Sequence, residues 1–136
     1  MTEVTLSTVV PGTCITTADS LPWTELDSRD GQVRTKFFGE SQELGPWILL
    51  VEFAPGYHEP PHWHDHDTIY IPTRGAMVIG PEGPVGVGDV RWVRAGTFYG
   101  PEAAADEGCE FWLIAYGPPG YHDGPPTATE RAALAR

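Results

Sequence analysis

Gly56-Tyr57-His58-Glu59-Pro60-Pro61-His62-Trp63-His64-Asp65-His66-Asp67 holds four of the chain's five histidines, three of them alternating at His62, His64 and His66. On an extended strand, residues two apart point to the same face. His62 and His64 therefore present two imidazoles side by side, and neutral imidazole suits zinc, iron, nickel and copper. A tag-like histidine run sits at a terminus. This one is internal and flanked by apolar runs, so a metal site is the expectation.

Outward from this stretch the chain reads as short strands separated by Gly/Pro turns. Trp47 to Phe53 is apolar except for Glu52, which predicts a strand buried on both faces or at a dimer contact. Val33 to Phe38 predicts a strand with a hairpin partner upstream. Val4 to Val10 predicts an edge strand, and Cys14 to Thr17 a further short extended piece. Downstream, strands are expected at Thr68 to Pro72, Ala76 to Ile79, Val90 to Val93 and Glu110 to Tyr116. Thr127-x-x-Glu130 ahead of Ala132-Ala133-Leu134 has the form of a capping box on a short C-terminal helix, with a frayed tail as the alternative. Many short strands with regular turns indicate an all-β sandwich or barrel.

At 136 residues the chain makes one domain. Its 40% hydrophobic content, with 5 Trp, 5 Tyr and 5 Phe, argues against disorder despite 14 Pro and 16 Gly. The formal net charge of -11, with 8 Lys plus Arg, repels phosphate backbones and anionic membrane surfaces. No basic-then-apolar leader and no apolar run of membrane-spanning length is evident. Cys14 and Cys109 form no C-x-x-C, so two reduced thiols in a cytoplasmic protein are expected.

Gly56, five residues, His62-x-His64 and then Gly75 resembles the first cupin motif, G-x5-H-x-H-x3-4-E-x6-G. The second, G-x5-P-x-G-x2-H-x3-N, is matched more loosely by Gly88 and Gly96, with Arg94 at the proline position. The family's glutamate falls on Thr68, its second-motif histidine on Tyr99 and its asparagine on Ala103. Tyrosine at that histidine position resembles a subset of small bacterial single-domain cupins. The resemblance implies a jelly-roll-like barrel (a double-stranded β-helix) over 33–117, an N-terminal strand extension over 1–32 and a C-terminal tail or short helix over 118–136.

The resemblance carries over His62 and His64 as ligands of a divalent metal: iron, zinc, nickel or manganese. Three residues offer a third ligand: His66 and Tyr99 first, Asp67 after them. Tyr99 and His58 are the acid/base candidates, and Thr68, Tyr70, Trp92 and Trp112 the expected pocket wall. The implied function is a metal-dependent small-molecule enzyme, dioxygenase-like, acting on a small aromatic or dicarbonyl compound. Lewis-acid isomerase, cyclase or lyase chemistry uses the same cup. Loss of two family ligands keeps open a non-catalytic ligand-binding or sensor module, and an inert domain retaining only the fold. A homodimer is the expected assembly.

Overall fold

The computed structural model describes residues 6, 7 and 9–134. Among the described residues there are ten strands: β1 Thr24–Glu25, β2 Val33–Phe37, β3 Trp47–Phe53, β4 His58–Glu59, β5 His62–Trp63, β6 Thr68–Ile79, β7 Gly83–Gly86, β8 Arg91–Val93, β9 Glu102–Ala115 and β10 His122–Asp123. One sheet runs β1-β2-β3-β9-β6-β7, with β4 also on β9 and β8 also on β6; β10 and β5 form a second, two-stranded sheet. Every pairing is antiparallel. This is the expected jelly-roll-like, all-β architecture, with an open strand path ending at β1 and β7.

Alternation sets the inside of the cup. Val51 and Phe53 of β3, Tyr70 and Met77 of β6 and Phe111 of β9 meet in the apolar core. Fully burying a side chain the size of Phe111 contributes roughly 2–3 kcal/mol. The two strands expected at Thr68 to Pro72 and Ala76 to Ile79 are one, β6, with register breaks between Pro72 and Arg74 and between Gly75 and Met77. Proline donates no ladder hydrogen bond, so it is accommodated at such an irregularity. Gly75, the motif glycine, has φ +67°, and a Cβ there would run into the Gly108 carbonyl.

Other expectations are corrected. The last long strand begins at Glu102, eight residues before Glu110, because its first half lies against β4 and the end of β6. Strand β3 lies inside the sheet between β2 and β9, with Leu50, Val51 and Phe53 buried and the rest of the strand half-buried. In the proposed N-terminal edge strand, Val4, Thr5 and Thr8 lie outside the described residues, and Leu6, Ser7, Val9 and Val10 form no ladder. Cys14 to Thr17 joins no ladder among the described residues; β1 represents the strand extension there and is the hairpin partner of β2. The short helix α1, Ala128–Ala133, is present and carries the reciprocal Thr127/Glu130 capping box. Cys14 is exposed and Cys109 buried, both as free thiols. No helix among the described residues is long and apolar enough to cross a membrane.

Candidate metal centre

Strand β5 is held from both sides. His62 and Tyr99 exchange backbone hydrogen bonds (3.0 and 3.1 Å), and β10 pairs His122 with Trp63 on the other edge. The two-residue period then puts the His62 and His64 rings together, their centroids 4.8 Å apart. Trp63, between them, faces the other way and stacks on His122 at 4.0 Å.

Each imidazole is fixed through its Nδ1. His62 Nδ1 meets the Pro60 carbonyl at 2.7 Å, and His64 Nδ1 meets the Gly120 carbonyl. A carbonyl oxygen only accepts, so both Nδ1 atoms carry the proton and both Nε2 atoms present lone pairs. Burial lowers the pKa of both rings, that of His64 to about 4. Gly120 holds its carbonyl on His64 from φ +60°, where a Cβ would collide with the Asp65 carboxylate.

The neutral His62 Nε2 accepts from the Tyr99 hydroxyl at 3.0 Å. Tyr99 in turn accepts from Tyr70, the only direction left once the Tyr99 proton points at His62. Burial and the charge of Glu102 push the Tyr99 hydroxyl pKa well up, so it stays protonated at neutral pH in the metal-free protein. Above the Tyr99 ring lies the Arg91 guanidinium, 4.4 Å from the centroid. Its Nε and Nη2 bind Glu82 at 2.9 and 2.5 Å, while its buried Nη1 has no hydrogen-bond partner.

Two glutamates, neither anticipated as a site residue, stand opposite each other on β4 and β9: Glu59 and Glu102. Glu59 receives Arg29 (Nη2 at 2.8 Å, Nε at 3.3 Å) and the Tyr57 hydroxyl, and Tyr121 also hydrogen-bonds it. Burial raises the pKa of this carboxyl, but those hydrogen bonds outweigh it and hold the value below the ordinary range. The Tyr121 ring lies flat on His62, centroids 4.6 Å apart. Glu102 has its Oε1 3.5 Å from His62 Nε2 and its buried Oε2 without a partner. Burial pushes its pKa up to about 8.

The remaining expected residues separate. His66 is exposed and turns its Nδ1 to the Pro118 carbonyl at 2.8 Å, away from the His62/His64 pair. Asp67 accepts the Ala95 amide at 2.8 Å, tying the residue before β6 to the turn after β8. His58 is exposed on β4, on the face opposite the buried Glu59. Thr68 is fully buried, and its Oγ1 has no partner. Strand parity removes Trp92 and Trp112 from the interior, because Tyr70 shares its face with Arg91 and Leu113 while its neighbours Ile69 and Ile71 face the two tryptophans. Trp92 is 51% exposed, and Trp112 packs on Phe38.

A cavity of about 850 Å³ reaches His64 and Tyr121, walled by Leu26, Phe37, Trp47 and Leu49 and bordered by Pro118 to Gly120. Its aromatic wall thus comes from β2, β3 and the segment before β10. Among the described residues no group of three or more His, Cys, Asp or Glu side chains is closed around one point. The fit to a divalent ion is that of a prepared pair: two neutral imidazoles, each oriented by a carbonyl, with the carboxyl of Glu102 3.5 Å from His62.

No family model matches the chain, and no curated protein does. Solved structures do. A candidate acetylacetone dioxygenase from Methylibium petroleiphilum superposes with a TM-score of 0.67 at 20% identity, over 90% of this chain and 94% of that one. The polyketide cyclase RemF from Streptomyces resistomycificus gives 0.66 at 14%, over 84% and 87%. An RmlC-like cupin from Ralstonia eutropha gives 0.65 at 23% over 74% of this chain, which spans 66% of that protein, just under two thirds. The chain has the cupin fold.

Proposed function

We propose that the protein is a metal-dependent small-molecule enzyme of the cupin type, dioxygenase-like, acting on a small aromatic or dicarbonyl compound. One observation carries this reading: backbone carbonyls hold the Nδ1–H of both His62 and His64, so both rings present Nε2 as the ligating atom, the Tyr99 hydroxyl on His62 giving way to an ion. His62 and His64 would hold iron, zinc, nickel or manganese, which supplies Lewis-acid polarisation of a substrate oxygen and, with iron, oxygenation.

The chain's own residues do the rest. Phe37, Trp47 and Leu49 offer flat apolar contact to a planar substrate next to His64 and exclude water from it. Tyr121 braces the His62 ring, and Tyr99 keeps a transferable proton at its Oη with Tyr70 behind it. The likeness in fold to a candidate acetylacetone dioxygenase and to a polyketide cyclase supports small carbonyl substrates as a class.

The tyrosine relay favours one second reading within the same cup, a cyclase, isomerase or lyase in which an enolate is reprotonated. Metal analysis of tag-free protein, paired with oxygen-uptake assays on β-dicarbonyl and phenolic compounds, separates the two. The expected result is about one divalent ion per chain, absent from the His62→Ala/His64→Ala variant, with oxygen consumed. Turnover of the same compounds without oxygen uptake establishes the second reading. Wild-type protein that takes up no ion even on reconstitution overturns both.

A further inference from the structure

Three features of the interior converge on one residue that the motif pattern does not mark. The family's glutamate position is Thr68, which brings only a neutral hydroxyl. The other oxygen and nitrogen donors near the histidines are committed: Asp67 to the Ala95 amide, His66 to the Pro118 carbonyl and Glu59 to Arg29 and Tyr57. Glu102 is not. We propose that Glu102 is the carboxylate donor completing the metal centre begun by His62 and His64, entering from β9 beside the strand that carries Thr68.

The separation is right. Two bonds of about 2.1 Å meeting at a tetrahedral angle put their donor atoms about 3.4 Å apart. Oε1 of Glu102 and Nε2 of His62 stand 3.5 Å apart, with no hydrogen bond joining them. A cation between the two would be held by both. Glu102 is 2% exposed, its Oε2 is unpartnered, and Glu59 faces it directly across the β4–β9 ladder. Buried carboxylates that bear a charge are paired or coordinate metals. Arg91 does not take this role by hydrogen bonding, because the two nitrogens it uses go to Glu82.

The inference rests on the metal-enzyme reading, and binding experiments keep the two apart. Tag-free, metal-stripped protein is titrated with zinc against a chromophoric chelator, and cobalt-substituted protein is followed by its visible spectrum. Wild type is expected to bind one ion, and Glu102→Gln to bind it at least tenfold more weakly with altered cobalt bands. Glu102→Asp, which keeps the carboxylate, is expected to fall between them. It also serves as the informative variant should Glu102→Gln not fold. Unchanged zinc affinity and cobalt spectrum in Glu102→Gln, with binding still abolished in His62→Ala/His64→Ala, overturns the role of Glu102 and leaves the metal-enzyme reading standing. No ion bound by wild type overturns both.

Discussion

Glu59 and Glu102 are register partners on β4 and β9, both buried, yet their surroundings are opposite. Glu59 sits in a closed set of donors, with Arg29 across both its oxygens and the Tyr57 and Tyr121 hydroxyls filling the rest. Glu102 has His62 Nε2 3.5 Å from its Oε1 and no hydrogen-bond partner at its Oε2. A buried carboxylate that is fully hydrogen-bonded is a structural part; one left short of partners is held for something else. His62 touches both sets: the Tyr121 ring stacks on it, and Oε1 of Glu102 lies 3.5 Å from its Nε2. The comparison assigns bracing to one glutamate and ion binding to its neighbour.

The most severe way to break the comparison is to strip Glu59 of its partner. Arg29→Ala leaves a buried carboxylate without its cation, and the expected loss is about 3 kcal/mol of folding stability, read by urea denaturation. A loss under about 1 kcal/mol would show that Glu59 is no better satisfied than Glu102.

The pH dependence of the metal-free protein sharpens it next. Glu102 holds its proton up to about 8 in the folded chain against an ordinary value of 4.5. The folded state therefore binds more protons between those values, and stability falls across that window as pH rises. The expected fall is on the order of 2 kcal/mol, since the interior relaxes around a buried charge, and Glu102→Gln should flatten it. Glu59 acts with the opposite sign: its lowered pKa contributes stability above the ordinary carboxylate range, lost as pH falls through the lowered value. An alkaline limb that survives Glu102→Gln would place its origin elsewhere.

Much of this site was legible in the sequence, in its local part. The His62-x-His64 period, Gly75 and Tyr99 follow from spacing along the chain, because a strand and its turns are local objects. Glu102 was not legible. It stands at the head of Glu102-Ala-Ala-Ala-Asp-Glu107, which has no apolar alternation, yet β9 begins there because β4 and β6 pair with it. The Arg29–Glu59 pair spans 30 residues, and the Gly120 carbonyl reaches His64 across 56; neither leaves a local signal. Trp92 and Trp112 were misplaced for a different reason. The cupin resemblance implies a pocket wall at both, whereas the two-residue period, counted from Tyr70 across the ladders, puts both on the other face.

A smaller effect tests the bracing side alone. Tyr121→Phe keeps the ring on His62 and removes the hydroxyl from Glu59, at an expected cost of about 1 kcal/mol, with zinc affinity changed less than threefold. A tenfold loss of zinc affinity would mean that the phenol reaches the ion and that the two sides of His62 are not separate.

The smallest effect concerns the third histidine of the motif. His66 shares the alternation of His62 and His64 but lies beyond β5, where the chain has left the strand and its ring has turned outward onto the Pro118 carbonyl. Its ring also lies against Gly117, where a Cβ would meet it at 2.7 Å. His66→Ala thus removes one exposed contact to the segment leading to β10. The expected change is within about 0.5 kcal/mol in stability, with zinc stoichiometry and affinity unchanged by titration. Loss of zinc binding would instead put His66 in the centre, which requires the turn after β5 to move. Glu102 would then not be needed as the third donor.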